Sequence, residues 1–184
     1  MSKKGFVSLV GAGPGDAELM TVKAVRLLTE ADVVVYDRLV SADILGLIPS
    51  GVSRISVGKE VGKHCVPQEE INEIIVNLAN AGRKVVRLKG GDPYMFGRGG
   101  EEIQALNKHQ IAFEVVPGIT AASGCSAYSG IPLTHRGMSR RVQYITGHFN
   151  DNDPLDLNWK SIADPDSTLV IYMGVSNLPL AVHS

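Results

Sequence analysis

Cysteine is scarce in this chain. Cys65 and Cys125 are the only two in 184 residues, and they lie far apart with no CxxC or Cys/His ligand spacing. That excludes a disulfide framework and a zinc-knuckle type of site. His109, His148 and His183 also lack ligand spacing, so no metal site is expected. Neither sign of charge dominates: 18 Lys and Arg face 19 Asp and Glu, for a net charge of -1. The molecule therefore has no global field to attract nucleic acid or an anionic membrane, and an anionic ligand must be held by a local cluster. No apolar run reaches membrane-spanning length, and the Met1-Ser2-Lys3-Lys4-Gly5-Phe6 start has no signal-peptide core. Internal repeats and low-complexity tracts are missing too. These absences predict a reduced, cytoplasmic protein with neither a nucleic-acid nor a membrane partner.

What is present is an ordinary globular composition, 44% hydrophobic and 20% charged, arranged as short β-branched runs alternating with helical patterns. That alternation predicts an α/β protein with a mainly parallel sheet. Phe6–Val10, Asp32–Tyr36, Ser53–Val57, Lys84–Leu88, Ala112–Val116, Val142–Thr146 and Thr168–Tyr172 read as strands. The clearest helix opens at Pro67 as its first helical position. It carries Glu69 and Glu70 in its first turn, repeats Ile71, Ile74, Ile75, Leu78 and Ala79 on one face, and stops at Gly82. Pro117-Gly118, followed by the small and polar stretch Ile119–Gly130, predicts a hinge between an N-terminal lobe, residues 1–116, and a C-terminal lobe, residues 117–184. The second lobe is short for an independent domain of about 100 residues and reads as truncated.

The segment Val7-Ser8-Leu9-Val10-Gly11-Ala12-Gly13-Pro14-Gly15-Asp16 starts like a dinucleotide-binding loop and then departs from it. A pyrophosphate loop reads G-x-G-x-x-G, with free N–H groups and a helix N-terminus facing the phosphates. Here the spacing is G-x-G-x-G, Pro14 has no N–H, and Asp16 places negative charge where a phosphate needs positive potential. The loop suits a nucleoside without phosphates. A second loop, Lys89-Gly90-Gly91-Asp92-Pro93-Tyr94-Met95-Phe96-Gly97, follows a strand at the edge where open α/β sheets bind ligands. Its paired glycines let a ligand approach the main chain and Asp92 could pair with a cation, although a plain turn accounts for Gly-Gly-Asp-Pro equally well. Thr120-Ala121 opens a helix at the end of another strand, where a hydroxyl and amides could take a carboxylate or could simply cap the helix. Gly58-Lys59-Glu60-Val61-Gly62-Lys63-His64 has the wrong spacing for a P-loop and lacks the Ser/Thr after Lys.

Taken in order, a series of these segments resembles the tetrapyrrole methylases, and among them the members that C-methylate uroporphyrinogen III. The series is Val10-Gly11-Ala12-Gly13-Pro14-Gly15-Asp16, Val35-Tyr36-Asp37-Arg38-Leu39-Val40, Gly58-Lys59, Lys89-Gly90-Gly91-Asp92-Pro93, Phe96-Gly97-Arg98-Gly99-Gly100-Glu101-Glu102, Val116-Pro117-Gly118-Ile119-Thr120-Ala121 and Pro132-Leu133-Thr134-His135-Arg136. The resemblance implies two α/β lobes with S-adenosyl-L-methionine bound between them, S-adenosyl-L-homocysteine as product, and a homodimer. It also implies methylation of a small-molecule tetrapyrrole, uroporphyrinogen III, on two ring carbons to give precorrin-2, on the branch toward sirohaem and cobalamin. The cofactor has no phosphate, which agrees with the reading of the first loop.

Carried over position by position, the resemblance places cofactor contacts at Pro14, Gly90, Gly91, Asp92, Met95, Thr120, Ala121 and Met173. It makes Asp37 the proton acceptor and Lys59 the proton donor. An electron-rich pyrrole carbon that takes up a methyl group must afterwards lose a proton, and a carboxylate near the ring can take it. Lys59 either donates a proton or holds a substrate carboxylate. The tetrapyrrole carries a ring of carboxylates, which guanidinium groups suit through bidentate hydrogen bonds. Arg38, Arg98 and Arg136 are the candidates, with Arg140, Arg141, His64 and His135 near them in sequence. Family members continue beyond Tyr172-Met173-Gly174-Val175-Ser176-Asn177-Leu178-Pro179, which leaves a non-catalytic, truncated cofactor-binding fragment as one alternative. A methylase of the same fold acting on another precorrin, on RNA or on protein is the other.

Overall fold

The computed structural model describes residues 4–58, 66–147 and 158–175. They form two compact units that divide between Gly124 and Cys125. In the first unit, five strands pair side by side in the order β3-β2-β4-β1-β5: β1 (Phe6–Gly11), β2 (Val33–Tyr36), β3 (Ser53–Ser56), β4 (Lys84–Lys89) and β5 (Ala112–Val116). Every pairing is parallel. Val7 lies opposite Val85 on one side and Phe113 on the other, and Val10 opposite Leu88 and Val116.

Parallel strands are covered on both faces, which is why the central ones read as near-continuous apolar runs. Alternate residues divide between two cores. Val10, Val34, Val86, Leu88 and Val116 meet Ala24 and Leu28 of α1 (Val22–Glu30) and Ile44 of α2 (Ala42–Gly46). Val7, Leu9, Val33, Val35 and Val85 meet Ile71, Ile75, Val76 and Ala79 of α3 (Gln68–Asn80) and Leu106 of α4 (Gly99–Lys108). The fold is thus a doubly wound sheet. Its chain runs from β1 out to β2 and β3, then returns through β4 and crosses to β5, which leaves the carboxyl ends of β1, β4 and β5 side by side at one edge.

Local chemistry sets the helix limits. Thr21 accepts the Ala24 N–H at 3.1 Å ahead of α1. Pro67 is the cap of α3, one residue outside the helix, with its carbonyl accepting the Ile71 N–H at 3.1 Å. That is a one-residue difference from the sequence expectation and within the ordinary fraying of helix ends. Gly82, at φ +82, ends the same segment in a left-handed turn.

The second unit contains β6 (Arg141–Thr146) and β7 (Ser167–Tyr172), paired in parallel, with the short helix α6 (Trp159–Ile162) between them in sequence. Tyr144 and Tyr172 meet edge to face with ring centres 6.0 Å apart. Helix α5 (Ala121–Ser129) spans the division. The units separate after Gly124, whereas the sequence points to Pro117-Gly118. Gly118 is anchored to the first unit by its N–H to Asp92 at 3.1 Å, and Gly124 packs directly on Pro14. Among the described residues no helix is long and apolar enough to cross a membrane.

Candidate functional site

Three glycines close the carboxyl edge of the sheet. Gly11 ends β1, Gly91 follows β4 and Gly118 follows β5. A Cβ on Gly11 would lie 2.5 Å from the Gly118 nitrogen and 2.6 Å from the Gly91 oxygen. Only hydrogen fits between these backbones. Gly13 donates its N–H to Gly91 O at 3.1 Å, Gly91 donates to Gly13 O at 2.8 Å, and Ala12 donates to Lys89 O at 2.7 Å. Pro14 lacks an N–H, and the Ala12 and Gly13 amides are engaged by Lys89 and Gly91 of the second loop rather than turned toward a ligand. Nor does the loop run into a helix. Asp16 instead accepts the Glu18 N–H at 2.8 Å and caps a single 3₁₀ turn, Ala17–Leu19, and α1 begins only at Val22. Neither element of a pyrophosphate site is in place. The Cβ positions of Gly15, at φ +125, and Gly91, at φ +65, have nothing within 4 Å, so this edge is open.

Within the first unit, Pro14, Gly90, Gly91, Asp92, Met95 and Thr120 lie on the loops that follow β1, β4 and β5, and Ala121 opens α5. Asp92 is fully engaged in holding it: one oxygen accepts the Tyr94 N–H at 2.8 Å and the other the Gly118 N–H at 3.1 Å, tying the β4 loop to the β5 loop. Met95 sits half-buried in the turn that follows. A Cβ on Gly90 would lie 2.6 Å from that of Leu39, so the β4 loop also abuts the loop after β2.

That loop carries Asp37. One carboxylate oxygen accepts the Leu39 N–H at 3.1 Å, the other faces Arg87 Nη2 at 3.4 Å, and the side chain is 24% exposed. Behind it lies a group the sequence reading missed. Arg87 and Lys89, 2% and 4% exposed, leave β4 on the same face and converge on Glu102 of α4, which is 0% exposed. Arg87 Nε and Lys89 Nζ reach Glu102 Oε1 at 2.9 and 3.0 Å. The sequence shows two cations at alternate positions, but the burial that obliges them to share a partner is set by the packing of the sheet and α4.

Burial, reinforced by repulsion from Arg87, lowers the Lys89 pKa below the ordinary lysine value of 10.5, although Glu102 and Asp37 raise it. The unfolded chain therefore holds this proton more tightly than the folded one. As pH rises from the lowered value toward 10.5, the group adds stability. Urea unfolding across the alkaline range should show that rise in the parent and a smaller one in Lys89→Met. Identical pH profiles would contradict it.

The other sequence candidates are dispersed. Lys59 lies outside the described residues. Arg38 is exposed, and a Cβ on Gly58 would come within 2.5 Å of its backbone nitrogen, so the loops after β2 and β3 touch. Arg98 is exposed, adopts φ +56 and is gripped bidentately by Glu101 at 2.7 Å through both contacts. This pairing keeps the Arg98 pKa raised and that of Glu101 lowered. Phe96, at φ +52, is a second left-handed non-glycine in the same loop, a form of backbone strain that concentrates at functional sites. Arg136 and Met173 belong to the second unit. Arg136 is exposed in the His135–Ser139 turn; Met173, just past β7, has φ +56 and is 54% exposed. Arg141 there pairs with Asp164. Among the described residues no three His, Cys, Asp or Glu side chains gather as metal ligands do.

A doubly wound sheet with an open glycine edge, whose first loop does not run into a helix, defines a class of α/β proteins distinct from the dinucleotide-binding ones. Residues 7–183 match the family model described as Tetrapyrrole (Corrin/Porphyrin) Methylases, and the chain belongs to that family. A siroheme synthase 2 from Klebsiella pneumoniae is 57% identical over 97% of this chain, but the chain spans only 39% of that relative's length. A uroporphyrin-III-C-methyltransferase structure from Thermus thermophilus superposes with a TM-score of 0.77 at 45% identity, covering 96% of this chain and 72% of that one. Another structure of the Thermus thermophilus enzyme, complexed with S-adenyl homocysteine, gives a TM-score of 0.79 at 43% identity, covering 97% of this chain and 71% of that one.

Proposed function

We propose that this chain carries out the S-adenosylmethionine-dependent C-methylation of uroporphyrinogen III to precorrin-2. The observation that carries the reading is the amide bookkeeping at the glycine edge: Ala12, Gly13 and Gly91 direct their N–H groups to one another's loops, so the opening suits a phosphate-free nucleoside. The Thermus thermophilus structure with S-adenyl homocysteine, a ligand of that chemistry, supports the same conclusion. Pro14, Gly90, Gly91, Asp92, Met95, Thr120, Ala121 and Met173 form the proposed cofactor set, with Asp92 acting by shaping the loops rather than by free charge. The cofactor supplies an electrophilic methyl group. Asp37 accepts the proton released from the methylated ring carbon; Lys59 either donates a proton or holds a substrate carboxylate; Arg38, Arg98 and Arg136 hold ring carboxylates. Holding the two reactants in register contributes about 7–11 kcal/mol, so positioning outweighs acid–base help. The proposal includes a homodimer in the cytoplasm and a product on the sirohaem and cobalamin branch.

Calorimetry with S-adenosylhomocysteine, with NAD as comparison, and a parallel assay with uroporphyrinogen III test this reading. The expected result is binding of the homocysteine compound, no binding of NAD, and formation of precorrin-2. Turnover only of another tetrapyrrole would reassign the substrate. Binding without any turnover would favour a cofactor-binding fragment, and preference for NAD would overturn the cofactor.

A further inference from the structure

The first unit buries more charge than its fold needs. A single oxygen, Oε1 of Glu102, accepts from Arg87 Nε at 2.9 Å, Lys89 Nζ at 3.0 Å and Gln68 Nε2 at 3.5 Å, while Oε2 is buried with no hydrogen-bond partner among the described residues. Such a cluster is a poor source of stability: apolar residues of equal volume commonly serve as well or better, and the unpaired oxygen adds a penalty. Its effect is geometric. Glu102 holds Nε of Arg87, and the carbonyls of Leu88 and Val35, at 3.1 and 3.5 Å, hold Nη1. The guanidinium plane is thereby fixed, and Nη2 is the group turned toward Asp37 Oδ2 at 3.4 Å. The Leu39 N–H holds the other oxygen of Asp37. The carboxylate is thus braced from both sides at the open edge of the sheet.

We propose that Glu102 is a positioning residue for methyl transfer, acting through Arg87 to set the direction of the Asp37 carboxylate. The inference rests on the reading of Asp37 as proton acceptor. Lys89 balances the second charge of the cluster. Arg87 and Lys89 from β4 and Gln68 from α3 reach Glu102 directly; Asp37 lies beyond Arg87, Asn72 shares Gln68 Nε2 at 3.0 Å, and the Arg98–Glu101 pair stands at the start of α4.

Glu102→Gln keeps the volume and removes the charge. Its kcat for methyl transfer is expected to fall about 30-fold, below the ~10²-fold that a misplacement of 1 Å can cost. KM for the tetrapyrrole and Kd for S-adenosylhomocysteine should stay within about twofold. In an Asp37→Asn background the same change should leave kcat within about twofold, because the group it aligns is already lost. Equal losses in both backgrounds, or an unchanged kcat, would overturn the proposal while leaving Asp37 as acceptor intact. A second readout needs no activity. In protein labelled with 13C at the lysine ε-carbons, Glu102→Gln should lower the Lys89 titration midpoint further, since the charge that raised it is gone. A midpoint that stays put overturns the network. A parent chain that methylates no tetrapyrrole overturns the functional reading, and the role of Glu102 in methyl transfer with it.

Discussion

Gly11→Ala is expected to lose about 3 kcal/mol of unfolding free energy, the upper end of ordinary overpacking. The added methyl would sit 2.5 Å from the Gly118 nitrogen and 2.6 Å from the Gly91 oxygen. These are backbone atoms at the ends of two other strands, so no side-chain rotation can relieve the contact. Separation of β1, β4 and β5 at this edge would also disrupt the Gly13–Gly91 hydrogen-bond pair. Affinity for S-adenosylhomocysteine should therefore fall together with stability. Gly100→Ala is the control. Gly100 lies within α4, has nothing within 4 Å of its Cβ position, and should gain up to about 1 kcal/mol from helix propensity. Urea midpoints that move alike in the two variants would show that crowding at Gly11 is not what matters.

Asp37→Asn should slow methyl transfer by about 10²–10⁴-fold, the range expected for loss of a positioned proton acceptor. The amide keeps an oxygen for the Leu39 N–H, so the loop after β2 is retained while the charge facing Arg87 is removed. Binding of S-adenosylhomocysteine should be unchanged. Single-turnover rates measured beside calorimetry separate the two effects. A variant that turns over at the parent rate would remove Asp37 from the proton-acceptor role. A variant that loses cofactor binding and rate together would make it a structural residue of the loop.

Much of the architecture is legible without coordinates. The apolar runs of β1, β2 and β4 and the stop at Gly82 are written in local residue order, because strand propensity and left-handed turns depend on a few neighbouring residues. The failure of the first loop to suit a phosphate is legible for the same reason: Pro14 lacks an N–H and Asp16 carries its charge wherever the loop is placed. The sequence also marks Asp37 as a residue at a strand end.

Other features have no local signature. Asp92 reads either as a partner for a cation or as part of a plain turn, and only the arrival of Gly118 from β5 shows that both its oxygens are engaged. The division after Gly124 depends on contacts that Gly118 and Gly124 make across the sheet edge, which Pro117-Gly118 as a dipeptide does not announce. Arg87 and Lys89 carry no mark of burial until helices cover both faces of the sheet and α4 brings Glu102 to them. The sequence by itself determined the elements of this protein and the phosphate-free character of its first loop, since both follow from short-range sterics and hydrogen bonding. The tertiary structure alone decided which charges lose water and meet, and where the chain divides. Desolvation and backbone-to-backbone packing depend on residues far apart along the chain.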